Sequence, residues 1–296
     1  MTTAAPSPAF AGPPDPDLVR IRDLVYRVAG IFHPDNKLRL LHERCTRRMK
    51  ELNNKTLGEY LNRLTTNTTQ PPELVALLNE ITIGETCFFR NPPQIDALRQ
   101  IVIPKILEAK AGLAPRYLRL WSAGCSTGEE PYTLNMVLQE EQEMEGHLKG
   151  WSTEILATDL NDQSLAHAIE ATYDSYSTRN LAEHYRKKFF EPKDNHLRVQ
   201  LGARSGVSFK RLNLFDDTLA SAMKGMDIIF CCNVLIYFDL ASKRRVLQHF
   251  YDSLLPHGYL FLGHSESLFG VNDDFRLVHF PGSTAYVKDN RAEAEK

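Results

Sequence analysis

Two different spacings of apolar residues divide this chain. From Asp17 to residue 83, apolar side chains recur every three or four positions, the period of amphipathic helices. From Tyr117 onward, short apolar runs of strand length alternate with helical stretches. This alternation predicts a doubly wound, mainly parallel β-sheet covered by helices. We therefore expect an all-helical domain followed by an α/β domain.

The helical part is predicted to span residues 17–83 and to follow a proline-rich, disordered tail at 1–16. Thr56 is expected to cap its third helix. The predicted helices start at Asp17 and then cover Lys37–Leu52, Leu57–Leu64 and Glu73–Ile81.

The α/β domain is predicted to span residues 117–288, after a linker region at 84–116 that holds the helix Pro92–Lys110. A small antiparallel insert is expected at about 190–206, and the polar tail from Asp289 is expected to fray. The predicted strands are Tyr117–Trp121, Glu154–Thr158, His196–Gln200, Val207–Leu212, Met226–Cys231 and Tyr259–Gly263, then a hairpin, Phe275–Phe280 with Thr284–Val287. The predicted helices are Glu130–Glu143, Asp162–Ala171 and Ala241–Leu255.

Composition narrows the class of protein without naming a function. Of 296 residues, 43% are hydrophobic and 24% charged, which excludes a wholly disordered or collagen-like chain. The longest near-apolar run, Asp227–Phe238, is shorter than the ~20 residues that cross a bilayer, and no secretory signal is evident. The net charge of −2 implies no general attraction to nucleic acid. Five cysteines without a C-x-x-C pair predict neither a disulfide framework nor a metal site, and a cytoplasmic location fits.

Parallel sheets bind ligands beyond the carboxyl ends of their strands, so the residues after each strand are the candidates for a site. After the first strand, Gly124 and Gly128 lie in a turn that leads to two acids, Glu129 and Glu130. This loop lacks the spacing of a nucleotide-phosphate loop, and its acids suit a cationic ligand. A tight turn with an acidic first helical turn remains the alternative.

Polar side chains follow the next strands as well. Asp159 either accepts hydrogen bonds from two ribose hydroxyls or caps the next helix. Asn213 and Asn233 are suited to an adenine edge, or else to turns. Tyr237 either points into the same cleft or packs in the sheet.

Two cationic features stand apart from these strand ends. Arg90 follows Phe88 and Phe89, and it is either a charged clamp or a surface cation resting on an aromatic ring. The helix Lys37–Leu52 has a basic outer face. This face is either a docking surface for an acidic partner or a solvated helix face, and it comprises Lys37, Arg39, Arg44, Arg47, Arg48 and Lys50.

The combination of motifs resembles the family of chemotaxis-receptor glutamate methyltransferases (CheR). The resemblance covers about residues 17–288, and its most specific parts are STGEEPY at 126–132 and NVLIYF at 233–238. The other matching runs, in order along the chain, are GETCFFR at 84–90, LWSAGCSTGEEPY at 120–132, ATDL at 157–160, LNL at 212–214, FCCNVLIYF at 230–238 and GHSE at 263–266.

The resemblance implies an S-adenosylmethionine-dependent methyltransferase with a Rossmann-like sheet and a helical receptor-docking domain. It implies methyl transfer to glutamates in the cytoplasmic helical region of chemoreceptors, with S-adenosylhomocysteine as the second product. Arg90 and Tyr237 would lie nearest the transferred methyl group. The residues implied to contact the cofactor are Gly84, Thr86, Arg90, Gly124, Glu130, Asp159, Asn213, Leu214, Cys232 and Asn233.

Three departures from the family pattern change the expectation. Members often carry Asn at the position of Gly84 and usually Arg at the position of Cys232, so both contacts are expected to be altered. The segment Glu191–His196 is short, which predicts no tethering of a receptor's C-terminal pentapeptide. The alternatives are a methyltransferase of the same fold acting on a small molecule or nucleic acid, and a non-catalytic adaptor that senses the cofactor.

Overall fold

A computed structural model describes residues 13–66, 71–82, 84–143, 147–218 and 222–288. Residues 1–12 of the predicted disordered tail lie outside these residues, and so does the tail from Asp289. The tail is shorter than the predicted 1–16, because Asp15 caps the first helix and Pro16 begins it. The chain divides into two compact units, Met1–Ile83 and Gly84–Lys296, and each is described by itself.

The described part of the first unit is helical. The first helix is capped by Asp15, whose side chain accepts from two backbone N–H groups, and it ends at the left-handed Gly30. Thr56 caps the third helix, as predicted, by accepting from the N–H of Glu59 at 3.1 Å. The helices are α1 Pro16–Ala29, α2 Leu38–Glu51, α3 Leu57–Leu64 and α4 Pro72–Ile81.

The second unit is built on a seven-stranded sheet with the order β6-β2-β1-β7-β8-β10-β9. The first five strands in this order are parallel, and the hairpin β9–β10 adds to β8 in the antiparallel sense. The predicted mainly parallel sheet with a closing hairpin is therefore confirmed. The strands are β1 Tyr117–Ala123, β2 Ser152–Asp159, β6 Val207–Arg211, β7 Met226–Cys231, β8 Leu254–Leu262, β9 Phe275–Phe280 and β10 Ser283–Lys288.

Helices cover both faces of this sheet over two apolar cores. The helix predicted in a linker packs into one of these cores instead, because Leu98, Val102 and Ile103 are buried against the central strands. It contains a π-helical turn, Leu98–Val102, between α5 and α6. The helices are α5 Pro92–Ala97, α6 Ile103–Ala109, α7 Glu129–Glu143, α8 Asp162–Glu170 and α11 Leu240–Ser253.

A second, three-stranded antiparallel sheet forms the insert and has the order β3-β5-β4. It begins well before the predicted residue 190, since its edge strand β3 is Thr172–Tyr173. Phe88, Tyr173 and Phe190 form an aromatic cluster under it, with ring centroids 4.8 and 5.1 Å from Phe88. The remaining insert elements are α9 Glu183–Phe189, β4 Phe190–Lys193, β5 His196–Val199 and α10 Leu201–Arg204.

Candidate active site

The candidate site lies at the carboxyl ends of β1, β2 and β7, where the strand order reverses at β1. Gly124 follows β1 at φ +80°, and a Cβ atom there would lie 2.4 Å from Val234 in the loop after β7. Only glycine allows the two loops to approach so closely. The loop therefore packs tightly, and it also positions the acids that follow.

The two acids at the start of α7 have different environments. Glu129 is buried and accepts hydrogen bonds from Ser177 and Thr127, so it supports the local fold. Glu130 accepts a 2.7 Å hydrogen bond from Ser122. Burial raises the pKa of the Glu130 carboxyl to about 6, although hydrogen bonds from Ser122 and Cys232 and the charge of Arg90 act in the opposite direction. An acid held in this way is suited to a cationic ligand group.

Asp159 ends β2 and is not the cap of the next helix. That helix is capped by Asn161, whose side chain accepts from Gln163 and Ser164. The Asp159 carboxylate accepts from the backbone N–H groups of Ser126 and Asn161, both at 2.8 Å. Burial raises the pKa of Asp159 against these hydrogen bonds. The carboxylate joins the ends of β1 and β2 and retains lone pairs for a ligand.

Tyr237 lies in a short 3₁₀ turn beyond β7 and is 38% exposed. The alternative that it packs within the sheet is therefore wrong. Burial raises its pKa, the charge of Arg90 lowers it, and the charges of Asp159 and Glu266 raise it. Arg90, Asp159 and Glu266 are therefore the charged groups that act on the Tyr237 hydroxyl.

Arg90 is exposed and donates a 2.9 Å hydrogen bond to the carbonyl of Glu85. The preceding residue, Phe89, adopts φ +50°, an unusual conformation for a bulky residue. Phe88 is fully buried and its N–H donates to Ser177, while the Phe89 N–H donates to Thr133. Two anchored aromatic residues thus fix the backbone from which Arg90 projects.

The other candidate cofactor residues lie at the same edge with weaker ties. Asn213 and Leu214 follow β6, and the Asn213 side chain accepts from the N–H of Phe215, as in a turn. Gly84 lies beside the loop after β1, because a Cβ atom there would be 3.1 Å from the Ser126 hydroxyl oxygen. Thr86, two residues after Gly84, is half-buried. The basic residues of α2 lie in the other unit.

The loop after β7 begins with Cys232 and Asn233. Asn233 adopts the left-handed conformation at φ +63°, which asparagine tolerates better than most residues. The Cys232 thiol lies 3.7 Å from the side-chain oxygen of Gln94, whose amide donates to the Leu262 carbonyl at 2.6 Å. Burial raises the pKa of the Cys232 thiol well above its usual value, so the thiol is a poor nucleophile.

Sequence reasoning missed Glu266. Its carboxylate accepts from the backbone N–H groups of Asn233 and Gly263, both at 2.7 Å, and from that of Ile236 at 3.2 Å. Glu266 therefore holds the loop that carries Asn233 and Tyr237 against the end of β8. The GHSE run was noticed only as part of the resemblance, and no local pattern indicates that its acid binds a loop 33 residues earlier.

This fold and these acids define the class of S-adenosylmethionine-dependent methyltransferases. The chain belongs to the CheR methyltransferase family: the family's SAM-binding domain matches residues 84–283, and its all-alpha domain matches residues 16–82. The resemblance inferred from the motifs is thereby confirmed. Of the described helices, none is long and apolar enough to span a membrane, and the described residues contain no cluster suited to a metal ion.

Curated relatives match over most of their length. A chemotaxis protein methyltransferase 2 from Vibrio cholerae is 32% identical over 95% of this chain and 96% of its own. A chemotaxis protein methyltransferase 1 from Pseudomonas aeruginosa is 36% identical over 88% of this chain and 94% of its own. The Cher2 methyltransferase from Pseudomonas putida is 35% identical over 88% of this chain and 94% of its own.

We expect the raised pKa of Glu130 to make the affinity for the cofactor depend on pH. The positive charge of an ammonium group favours the ionised form of Glu130. Below pH 6 the Glu130 carboxyl is mostly protonated, so it must lose its proton before it binds the ammonium group. We expect the affinity for S-adenosylhomocysteine to be constant above pH 7 and to fall by up to about tenfold per pH unit below pH 6. Calorimetry across this range measures it, and Glu130→Gln should give weak binding without this inflection. Affinity of the wild type that does not vary between pH 5 and 7.5 would contradict the assignment.

Removing the Glu266 carboxylate should loosen the loop after β7. Three backbone donors lose a charged acceptor, and each such hydrogen bond contributes about 1.5–3 kcal/mol. For Glu266→Ala we expect faster hydrogen exchange at 233–238 and at least about tenfold weaker binding of S-adenosylhomocysteine. Ser265→Ala, at the exposed neighbouring residue, is the matched control. Unchanged exchange at 233–238 in the Glu266 variant would show that the loop does not need this acid.

Proposed function

We propose that this chain methylates chemoreceptors, transferring a methyl group from S-adenosylmethionine to glutamate side-chain carboxylates. The products are glutamate methyl esters and S-adenosylhomocysteine, and the location is the cytoplasm. The observation that carries the proposal is that Glu130, Asp159 and Tyr237 follow β1, β2 and β7 at the carboxyl ends of neighbouring strands in a chain of the CheR family.

The residues present suit this cofactor. Glu130 has the burial and raised pKa of an acid that gains from a cationic partner, and it would hold the amino group. Asp159 would hold the ribose. Asn213 and Asn233 would face the adenine edge. The other cofactor contacts would come from the remaining matched positions, Gly84, Thr86, Arg90, Gly124, Leu214 and Cys232. The bound cofactor supplies an already activated methyl group.

The acceptor glutamate has to be positioned correctly, but the protein does not have to remove a proton from it. A free glutamate has a pKa of about 4.3, so its carboxylate is ionised at pH 7 and requires no general base. Alignment and exclusion of water then provide the acceleration. Arg90 would orient a carboxylate by paired hydrogen bonds, and Tyr237 would donate from its hydroxyl to fix the direction of approach.

Transfer of labelled methyl groups to receptor fragments tests the proposal. We expect base-labile label on the receptor with the wild type, and at least about a 100-fold lower kcat for Arg90→Ala at saturating cofactor. Arg186→Ala, an exposed arginine of the insert, is the matched control. Near-normal turnover of the Arg90 variant would refute its role. Label in RNA or metabolites but not in receptors would refute the proposed substrate.

One observation favours a second candidate, the cofactor-sensing adaptor. Cys232 replaces the arginine usual in the family, and its thiol supplies no positive charge beside Glu130. An adaptor would bind S-adenosylhomocysteine in calorimetry and transfer no methyl group to any receptor fragment. The labelling experiment therefore separates the two candidates.

The basic face of α2 is our proposed receptor-docking surface, but some of its residues already form ion pairs within the protein. Arg48 forms a two-bond ion pair with Glu73, which also accepts from the Tyr60 hydroxyl, so Arg48 links three helices. Arg39 pairs with Glu43 and Arg47 with Glu80. No described ion pair involves the remaining three, Lys37, Arg44 and Lys50.

Charge reversal on this face should weaken receptor methylation selectively. Receptor helices that are methylated are expected to be acidic, and complementary charge speeds encounter at low salt. For Arg44→Glu with Lys50→Glu, we expect a several-fold lower kcat/KM for the receptor and unchanged affinity for S-adenosylhomocysteine, with the defect shrinking as salt rises. Arg48→Glu is unsuitable because it breaks a largely buried pair. A defect that is independent of salt would contradict docking by charge.

Tethering of a receptor's C-terminal pentapeptide is predicted to be weak or absent. The small sheet offers short edges: β3 has two residues, and β4 has four and includes Pro192, which lacks an N–H donor. An added strand would therefore gain few hydrogen bonds. We expect no binding of this peptide below about 100 µM in calorimetry, with a scrambled peptide as the control. A micromolar dissociation constant would refute the prediction.

A further inference from the structure

Large apolar side chains are exposed beside Tyr237. Phe269 is 95% exposed, Ile236 is 52% exposed and Leu240 is 49% exposed. We call these three residues the apolar rim. Exposed apolar groups that cluster at one place on a protein mark a surface that another molecule covers.

The three residues lie on two loops that are tied together. Ile236 precedes Tyr237 in the 3₁₀ turn, and Leu240 is the first residue of α11. Phe269 lies between Glu266, which accepts from the N–H of Ile236 at 3.2 Å, and Val271, whose carbonyl accepts from Arg244 of α11 at 3.2 Å. The segment that carries Phe269 is therefore joined to the loop that carries Ile236 and Tyr237 and to α11.

Phe269 projects from a closed turn. The N–H groups of Val271 and Asn272 both donate to the Leu268 carbonyl, at 2.9 and 3.2 Å. Leu268 itself is buried, and its N–H donates to the Tyr286 hydroxyl. The backbone is thus anchored on both sides of the exposed ring, which favours binding because little conformational freedom remains to be lost.

We propose that the apolar rim is the docking surface for the methyl-accepting segment of the substrate, and this inference rests on the proposed function. The substrate carboxylate that reaches Tyr237 belongs to a segment of another protein, and that segment must lie on the surface around Tyr237. The rim selects a helix that has apolar side chains one turn before or after the acceptor glutamate, since positions three and four apart share a face. The apolar rim contributes apolar contacts to substrate binding, whereas the basic face of α2 contributes charge.

A second copy of this chain is the competing occupant. A stable dimer interface buries about 800 Å² on each partner. Three apolar side chains provide far less apolar surface than such an interface, whereas they match one face of a single helix. The acceptor segment is therefore the occupant that fits.

The test compares Phe269→Ser with Leu113→Ser in the full-length protein. Leu113 is 61% exposed and lies just before β1, at the opposite edge of the sheet. With receptor fragment as the varied substrate, we expect Phe269→Ser to raise KM about tenfold, with kcat and the affinity for S-adenosylhomocysteine unchanged. Leu113→Ser should match the wild type. The Phe269 defect should persist at high salt, unlike that of the α2 variants.

Each other result overturns the inference. A KM within twofold of the Leu113 variant means that the rim does not touch the acceptor. A parallel loss of cofactor affinity means that Phe269 supports the site itself. A wild-type dimer in sedimentation that becomes monomeric on Phe269→Ser means that a second copy covers the rim. If the wild type labels no receptor fragment at all, the proposed function fails first, and this outcome is distinguishable from the other three.

Discussion

The site depends on carboxylates that bind backbone N–H groups across neighbouring strand ends. Asp159 at the end of β2 holds Ser126 of the loop after β1. Glu266 beyond β8 holds Asn233 and Ile236 of the loop after β7. A charged acceptor makes stronger hydrogen bonds than a neutral one, so each acid fixes a loop that a sheet alone would leave free.

These ties explain why unusual backbone conformations collect here. Ser126, Asn233 and Phe89 all have positive φ angles without being glycine, and such residues persist only where the surroundings hold them. Ser126 and Asn233 donate to the two carboxylates, and Phe89 donates to Thr133. For each residue, a hydrogen bond to a neighbouring element offsets the conformational energy of the positive φ angle. The backbone from which Arg90 and Tyr237 project is therefore held in place.

The sequence correctly predicted those elements whose bounds depend on residues that are close together in the chain. The bounds of α3 and β7 match because an N-cap and a continuous apolar run specify them. The position of Asp159 at a strand end followed from the parallel sheet. The bond between Glu266 and Asn233 and the Arg48–Glu73 pair escaped prediction because each joins residues that lie 25 or more positions apart. The insert was placed too late because Thr172–Tyr173 is a strand only through pairing with β5.

The replacement at Cys232 bears on how the cofactor pocket balances its charge. The Ser122 hydroxyl and the Cys232 thiol both lower the pKa of Glu130, and neither carries a positive charge. The family's usual arginine would supply such a charge permanently, and it would hold the carboxyl ionised without any ligand. In this chain Arg90 is the cation whose charge acts on Glu130, and it lies on an exposed segment. In the proposed cofactor complex, ionisation of Glu130 and binding of the ligand's ammonium group would therefore favour one another, because the two groups carry opposite charges.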